Sequence, residues 1–150
     1  VARIWVCGID FSDLSDRVLE TAAEELSHAG GGKLVIVHVL PTPTPPSYGF
    51  AIPAATTAVY ERLHEEAVAQ ANETLDEKLA PLAERHPDID IEPVVRTGEP
   101  AEELLDVTAA AEAHRIIVGS VGKGRLERLL LGSVAERVLR LAEIPVLVVK

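Results

Sequence analysis

Five short apolar runs alternate with stretches of helical period along this chain of 150 residues, and that alternation constrains the fold more than any other feature. Each run carries Val, Ile and Leu on consecutive positions, which is typical of strands buried on both faces. Such strands separated by helices predict an α/β three-layer sandwich: a five-stranded parallel sheet of order 3-2-1-4-5 with helices on both faces. The predicted strands are 4–9, 34–40, 89–96, 115–119 and 145–149.

Helical periodicity fills most of the sequence between the strands. The second predicted helix is the longest, and Pro81 is expected to kink or end it near its last turn. Residues 41–57 hold five of the ten prolines, which excludes regular structure there. The length fits one domain over 1–150. The predicted helices run from Ser15 to the glycines at 30–32, and over 59–85, 100–113 and 133–142. One side of the longest helix is apolar and comprises Val59, Leu63, Ala67, Ala71, Leu75, Leu79 and Leu82.

The charge of the chain argues against a nucleic-acid partner. Its formal net charge is −10 at pH 7, whereas a protein that neutralises duplex phosphates needs a basic face. No apolar run approaches the roughly 18 residues of a membrane span, so we expect no membrane insertion, and no secretory signal stands in the sequence. The single cysteine, Cys7, lies in a strand-like run and is expected to be a small core residue. Together these features favour the cytoplasm.

The segment 116–133 is the most informative one for function. Its apolar run ends at a glycine, three more glycines follow, and Ser133 opens a helical stretch. Small residues let backbone N–H groups approach an anion, and a helix N-terminus adds about half a positive charge. Residues 119–142 hold five basic and two acidic side chains, so this part is +3 while the rest of the chain is −13. The segment therefore predicts a phosphate-binding loop. Its glycines are Gly119, Gly122, Gly124 and Gly132.

The standard phosphate and metal motifs do not match this sequence. Residues 119–124 have the glycine spacing of a P-loop, but Arg125 and Leu126 replace the Lys and the Ser or Thr that it requires. Glu127 stands where a dinucleotide fingerprint needs its last glycine. The five histidines show no spacing of a metal-ligand pair, and no nucleophile elbow surrounds Ser133. Because nothing identifies a general base beside the phosphates, any hydrolysis is expected to be slow.

The glycine spacing itself carries a family resemblance. Gly119, two residues, Gly122, nine residues, Gly132 and then Ser133 meet every position of a signature found in nucleotide-binding universal stress proteins. The chain resembles that family over essentially all 150 residues, including the acidic residue that ends the first strand, Asp10. The resemblance implies a five-stranded parallel α/β fold, usually dimeric, whose signature-bearing members bind ATP.

The resemblance also implies a role for the residues at the strand ends. Asp10, which follows Gly8 and Ile9, would meet the ribose or a bound Mg²⁺ or Mn²⁺. Val39 would read the adenine edge through its backbone. The adenosine pocket would be lined by Val118 and Gly119.

The phosphates would lie farther along the glycine-rich segment. Many relatives place a polar residue between the first two signature glycines, where this chain has Ser120 and Val121. Either Lys123 or Arg125 is a candidate to supply the missing charge. The residues implied as phosphate donors are Gly122, Gly132, Ser133 and Val134.

Each of these residues also has a purely structural explanation. The glycines of the loop suit tight turns, and its cations suit a solvated surface. Ser133 suits a helix cap. Asp10 suits a cap on the first helix or a hydrogen bond to its own loop. Both explanations stay open on sequence grounds.

The function expected is that of an ATP-binding regulatory or stress-response protein, in which nucleotide occupancy sets loop order and, through it, dimerisation or the binding of a regulatory protein partner. AMP or another adenine nucleotide is an alternative ligand. Two alternative functions are a slow ATPase or phosphoryl or nucleotidyl transferase, and an interaction module that binds no nucleotide. The last strand is expected at the sheet edge, where an apolar edge favours a homodimer. Its residues are Val146, Leu147, Val148 and Val149.

Overall fold

The predicted strands pair in one parallel sheet, and the strand order is the predicted 3-2-1-4-5. The structure is a computed structural model that describes residues 2–45, 49–122 and 131–150. The strands are β1 Ile4–Ile9, β2 Gly32–Leu40, β3 Ile89–Thr97, β4 Arg115–Gly119 and β5 Val146–Val149. β1 lies at the centre between β2 and β4, so β3 and β5 form the two edges.

Helices cover both faces of this sheet. Those in the described residues are α1 Ser15–His28, α2 Ala54–Arg85, α3 Pro100–Ala110 and α4 Ser133–Leu141. α1 and α2 pack on the face that carries Cys7 and Ile36, whereas α3 and α4 pack on the face that carries Val6 and Ile116. The three layers confirm the predicted α/β sandwich.

Cys7 is completely buried in the first of these two layers. Burial in apolar surroundings disfavours the thiolate and raises the pKa of the Cys7 thiol to about 12. The thiol therefore stays protonated at neutral pH, and the prediction of a core residue is confirmed.

Several helix ends differ from the prediction. α2 begins at Ala54 instead of Val59, because Pro53 has an extended backbone (φ −58°, ψ 142°) and its C=O accepts the first bonds of the helix. Apolar periodicity did not reveal this first turn, because residues 54–58 are only Ala and Thr. The other end of α2 is the predicted one, since the helix continues through Pro81 to Arg85. No helix in the described part of the chain is both long and apolar enough to cross a bilayer.

α3 ends at Ala110, three residues before the predicted end. The chain reverses there because Glu112 takes a left-handed backbone conformation (φ 51°), and Ala113 N–H donates to Thr108 O at 3.0 Å. This tight exit brings the chain directly into β4.

The predicted apolar side of α2 is only half correct. Its C-terminal members are buried against the sheet, but Val59 and Leu63 are 48% and 55% exposed. Tyr60 and His64 are half-buried instead, and His64 Nε2 lies 3.0 Å from Thr97 Oγ1 at the end of β3. A strict spacing of four residues drifts by about 40° per step around a helix of 3.6 residues per turn. Three such steps from Ala71 therefore carry the stripe off the face that contacts the sheet.

The two parts of α2 should differ sharply in their contribution to stability. Leu75→Ala removes a completely buried side chain and should lower the free energy of unfolding by about 2–5 kcal/mol. Leu63→Ala is the same substitution on an exposed turn of the same helix and should change it by less than about 0.5 kcal/mol. Urea denaturation followed by circular dichroism measures both. Equal losses would mean that the first half of α2 is packed after all.

Candidate functional site

A cleft of about 310 Å³ opens at the carboxyl ends of the strands. It lies between the ends of β1, β2 and β4 and the first turns of α1, α3 and α4, at the position where doubly wound sheets hold their ligands. Of the thirteen site residues predicted from the sequence, eleven line this one cleft, and the other two, Lys123 and Arg125, lie outside the described residues. The eleven are Gly8, Ile9, Asp10, Val39, Val118, Gly119, Val121, Gly122, Gly132, Ser133 and Val134.

The deep part of the cleft is apolar. Side chains of β2 and α3 face those of β4 across it, and they leave an aliphatic wall that suits a flat, uncharged ring. The α3 contribution, Pro100 and Leu104, was not predicted, because the glycine motif alone does not point to α3. The available signal was that α3 begins just after β3, at the same edge of the sheet as the other loops. The residues that were missed are Ser12, Leu14, Ser15, Val18, Val37, Pro100, Leu104 and Ala135.

Asp10 is held in place by the loop that follows β1. Its Oδ1 accepts hydrogen bonds from the Ser12 N–H at 3.0 Å and from the Ser15 hydroxyl at 3.2 Å. The predicted alternative of a bond to its own loop is therefore confirmed for this oxygen. Because Ser15 is buried in the first turn of α1, the carboxylate has a fixed position at the cleft wall.

The next residue, Phe11, has an unfavourable backbone conformation. Its φ of 59° costs a bulky side chain about 1–3 kcal/mol, so its surroundings must hold it there. The Phe11 ring stacks on His38 with 4.0 Å between ring centroids and 26° between ring planes. His38 Nδ1 in turn donates to Ile9 O at 3.0 Å, which fixes the proton on that nitrogen because a carbonyl only accepts. This stack on the buried His38 fixes the backbone on both sides of Asp10.

The signature glycines allow close approach between neighbouring segments. A Cβ on Gly122 would stand 3.0 Å from Asp10 Oδ2, so the missing side chain lets the carboxylate lie against the loop. A Cβ on Gly132 would stand 3.3 Å from both Ser120 O and Val121 Cα. Gly119 allows a different contact: a Cβ there would stand 3.0 Å from Cδ2 of Leu14, the residue before α1. The spacing thus serves packing as well as the shape of the cleft.

α4 begins at the rim of the cleft, and its first backbone donors have no hydrogen-bond partner among the described residues. Its N-cap is Gly132, and its first intrahelical bond runs from Glu136 N–H to Gly132 O at 2.9 Å. The N–H groups of Ser133 and Val134 precede that bond, and no side chain caps the helix in the described residues. Ser133 is the first helical residue, so the alternative that it caps the helix is wrong. Because a helix N-terminus carries about half a positive charge, this rim favours an anion.

Two predicted details of the phosphate loop need correction. Gly132 was expected to donate to phosphate, but its N–H donates to Ser120 O at 2.6 Å. The positive balance of 119–142 does not all serve the cleft either, because Arg137 contacts Glu99 at 3.4 Å and Glu102 at 2.7 Å, both at the start of α3. Arg137 therefore joins α4 to α3 across the outside of the cleft wall.

A metal ion would find few protein ligands here. No group of three or more His, Cys, Asp or Glu side chains is placed to hold a metal among the described residues. Asp10 is the carboxylate that lines the described cleft. This donor set fits an ion such as Mg²⁺, which is bound by one or two carboxylates together with the phosphates of a substrate and water.

Comparison with known proteins agrees with this fold and identifies the family. The sequence profile of the universal stress protein family matches residues 3–150. A universal stress protein of Mycobacterium tuberculosis is 35% identical over 144 residues, which are 95% of this chain but 44% of that protein. One from Methanocaldococcus jannaschii is 34% identical over 139 residues, 93% of this chain and 78% of that protein. The chain thus spans less than half of the mycobacterial relative's length.

A solved structure agrees in fold over the whole chain. The universal stress protein from Archaeoglobus fulgidus in complex with dAMP superposes with a TM-score of 0.65 at 26% identity, covering 100% of this chain and 98% of that chain. The family profile matches residues 3–150, and the five-stranded parallel sheet accords with it. This chain belongs to the universal stress protein family.

Proposed function

We propose that this protein binds ATP in the cleft at the end of β4 and acts as a regulator whose loop order and assembly depend on nucleotide occupancy. One observation carries the proposal: an aliphatic wall and a helix N-terminus, whose first N–H groups have no partner among the described residues, share one cleft. An adenine nucleotide needs that combination, since its ring is flat and apolar on both faces while its tail is anionic. A similar protein of the family, from Archaeoglobus fulgidus, is known in complex with dAMP.

In this proposal the base and the tail lie at opposite ends of the cleft. The base lies between Val39 and Val118, where backbone groups at the strand ends read its edge. The phosphates lie at the first turn of α4, against the N–H groups of Ser133 and Val134 and beside Gly122. Hydrogen bonds to a charged group contribute about 1.5–3 kcal/mol each. Two such bonds account for a large part of a micromolar affinity, about 8 kcal/mol.

Asp10 sets a condition on the charge of the ligand. Its carboxylate lies against Gly122, next to the proposed phosphate position. It contacts the ribose hydroxyls of a bound nucleotide or a Mg²⁺ or Mn²⁺ that accompanies the phosphates. A bound cation would neutralise negative charge between the Asp10 carboxylate and the phosphate tail of the nucleotide.

The sheet edges support a homodimer through β5. β3, the opposite edge, carries Pro93 and the charged residues Asp90, Glu92 and Arg96, which discourage pairing with another strand. β5 carries no charge and no proline over its four residues. Toward β4, the carbonyl of Pro145 accepts a hydrogen bond from the Ile116 N–H, and the carbonyl of Val149 accepts one from the Ser120 N–H. Since alternate residues of a strand face alternate sides, Val146 and Val148 present their backbone groups to the open edge.

Nucleotide binding is tested by placing a negative charge at the proposed phosphate position. Gly132 is unsuitable for this test because a side chain there would strike Ser120 and Val121 whether or not ATP binds. Ser133→Glu is better, since an acidic residue in a first helical turn stabilises the helix while it repels phosphate. We expect wild type to bind ATP by isothermal titration calorimetry. Ser133→Glu should weaken that binding at least about tenfold, or about 1.4 kcal/mol.

Two controls make the result specific. Leu139→Glu adds the same charge to an exposed position of α4 outside the cleft and should leave the affinity for ATP unchanged. Adenosine lacks phosphates, so its affinity should be the same for wild type and Ser133→Glu. Wild-type protein that takes up no ATP at millimolar concentration contradicts the proposal. An unchanged affinity for ATP in Ser133→Glu would mean that the phosphates do not bind at the first turn of α4.

The dimer is tested by blocking the open edge. Val148→Pro removes an outward N–H while leaving the bonds to β4, and it should convert a wild-type dimer to a monomer in sedimentation velocity. Val148→Thr keeps the N–H and the branched shape, so it should remain dimeric. A monomeric wild type at about 100 μM, well above the dissociation constant of a stable dimer, would count against β5 as an interface.

A further inference from the structure

We propose that Phe11 is a positioning residue of the nucleotide cleft: its ring, stacked on His38, holds the Asp10 carboxylate where it meets the ligand and thereby raises the affinity for the nucleotide. This inference rests on the function proposed above. Phe11 acts through its neighbour, since it is not among the residues that line the described cleft, whereas Asp10 is. The contact under its control is that of Asp10 with a ribose hydroxyl or with a cation beside the phosphates.

The backbone of Phe11 is strained, so contacts of its side chain must hold it. Glycine takes a left-handed conformation readily, whereas a bulky residue with a φ of 59° does so at a cost. Residues held in such conformations cluster at functional sites, where the surrounding structure over-determines them. What phenylalanine offers here and glycine lacks is the ring, whose centroid lies 4.0 Å from that of His38.

One side chain, that of His38, holds the chain on both sides of Asp10. The sheet sets its position, because His38 is buried and pairs with Ile9 in the register of β2 against β1. Its Nδ1 donates to the carbonyl of Ile9, the residue before Asp10, at 3.0 Å. Its ring stacks on that of Phe11, the residue after Asp10. The same imidazole therefore fixes the backbone before and after the carboxylate.

The position of the Asp10 carboxylate depends on the conformation of Phe11. Asp10 Oδ1 accepts from the Ser12 N–H at 3.0 Å, which closes an Asx turn with Phe11 as its middle residue. If Phe11 leaves the left-handed conformation, the Ser12 N–H turns away and the carboxylate loses this bond. Asp10 Oδ2 lies 3.0 Å from where a Cβ of Gly122 would stand. A rotation of the carboxylate would therefore move this oxygen relative to the glycine loop, where we place the phosphates.

The inference is tested by a double-mutant cycle on the affinity for ATP. Phe11→Gly relieves the strain and removes the ring, so the protein should stay folded while the dissociation constant for ATP with Mg²⁺ rises about fivefold or more. In an Asp10→Ala background the same substitution should leave that constant nearly unchanged, because the group that Phe11 positions is gone. His38→Gln keeps a donor for the Ile9 carbonyl but removes the stack, so it should weaken ATP binding as Phe11→Gly does. Phe50→Gly is the matched control: Phe50 is 81% exposed and outside the described cleft, and this variant should bind ATP as wild type does.

Adenosine identifies which contact Asp10 makes, because it has the ribose but no phosphates to bring a cation. If the carboxylate meets the ribose, Phe11→Gly weakens the binding of adenosine and of ATP by the same factor. If it meets a cation, Phe11→Gly weakens the binding of ATP with Mg²⁺ and leaves that of adenosine unchanged. Either result supports the positioning role.

The outcomes separate this inference from the proposed function. If wild type binds no ATP, the proposed function fails and the inference fails with it. If wild type binds ATP but Phe11→Gly or Asp10→Ala binds it equally well, or if Phe11→Gly loses as much affinity without Asp10 as with it, the inference is overturned while nucleotide binding stands. Should Asp10→Ala not fold, amide hydrogen exchange without nucleotide decides. The Ser12 N–H should exchange about tenfold faster in Phe11→Gly and in His38→Gln than in wild type, and an unchanged rate would overturn the positioning role.

Discussion

The parallel pairing of β1 with both β2 and β4 is the constraint on which the rest of this structure depends. Parallel strands end at the same edge, so the loops after these three strands must meet there, whatever their sequences. The chain leaves β1 toward one layer and leaves β4 toward the other, which opens a gap between the first turns of α1 and α4. The strand topology thus creates a concave site whatever side chains line it.

In the described part of that site, main-chain contacts bring the lining segments together. Gly122 and Gly132 let two loops and a helix end approach to van der Waals distance, and Ser120 connects them through hydrogen bonds. Arg137, the described cation nearest in sequence to the helix start, is neutralised by Glu99 and Glu102. The shape of the described cleft therefore depends on backbone geometry, which side-chain composition describes poorly.

Sequence reasoning predicted the strands well because each is a continuous aliphatic run, and their order followed from alternation with helices. The glycine spacing located the cleft for the same reason, since close approach leaves a direct trace in residue type. It failed where structure depends on neighbours that the motif does not contain. Leu104 reaches the cleft only because α3 packs over β1, and the Gly132 N–H is directed to Ser120 by a tertiary contact. The face of α2 was half wrong because a spacing of four drifts around the helix.

The first half of α2 contains no buried residue, and no described residue of that helix lines the cleft. The exposed side of these turns, at Val59 or Leu63 for example, therefore offers a place to tether a dye or a solid support away from both the core and the described cleft.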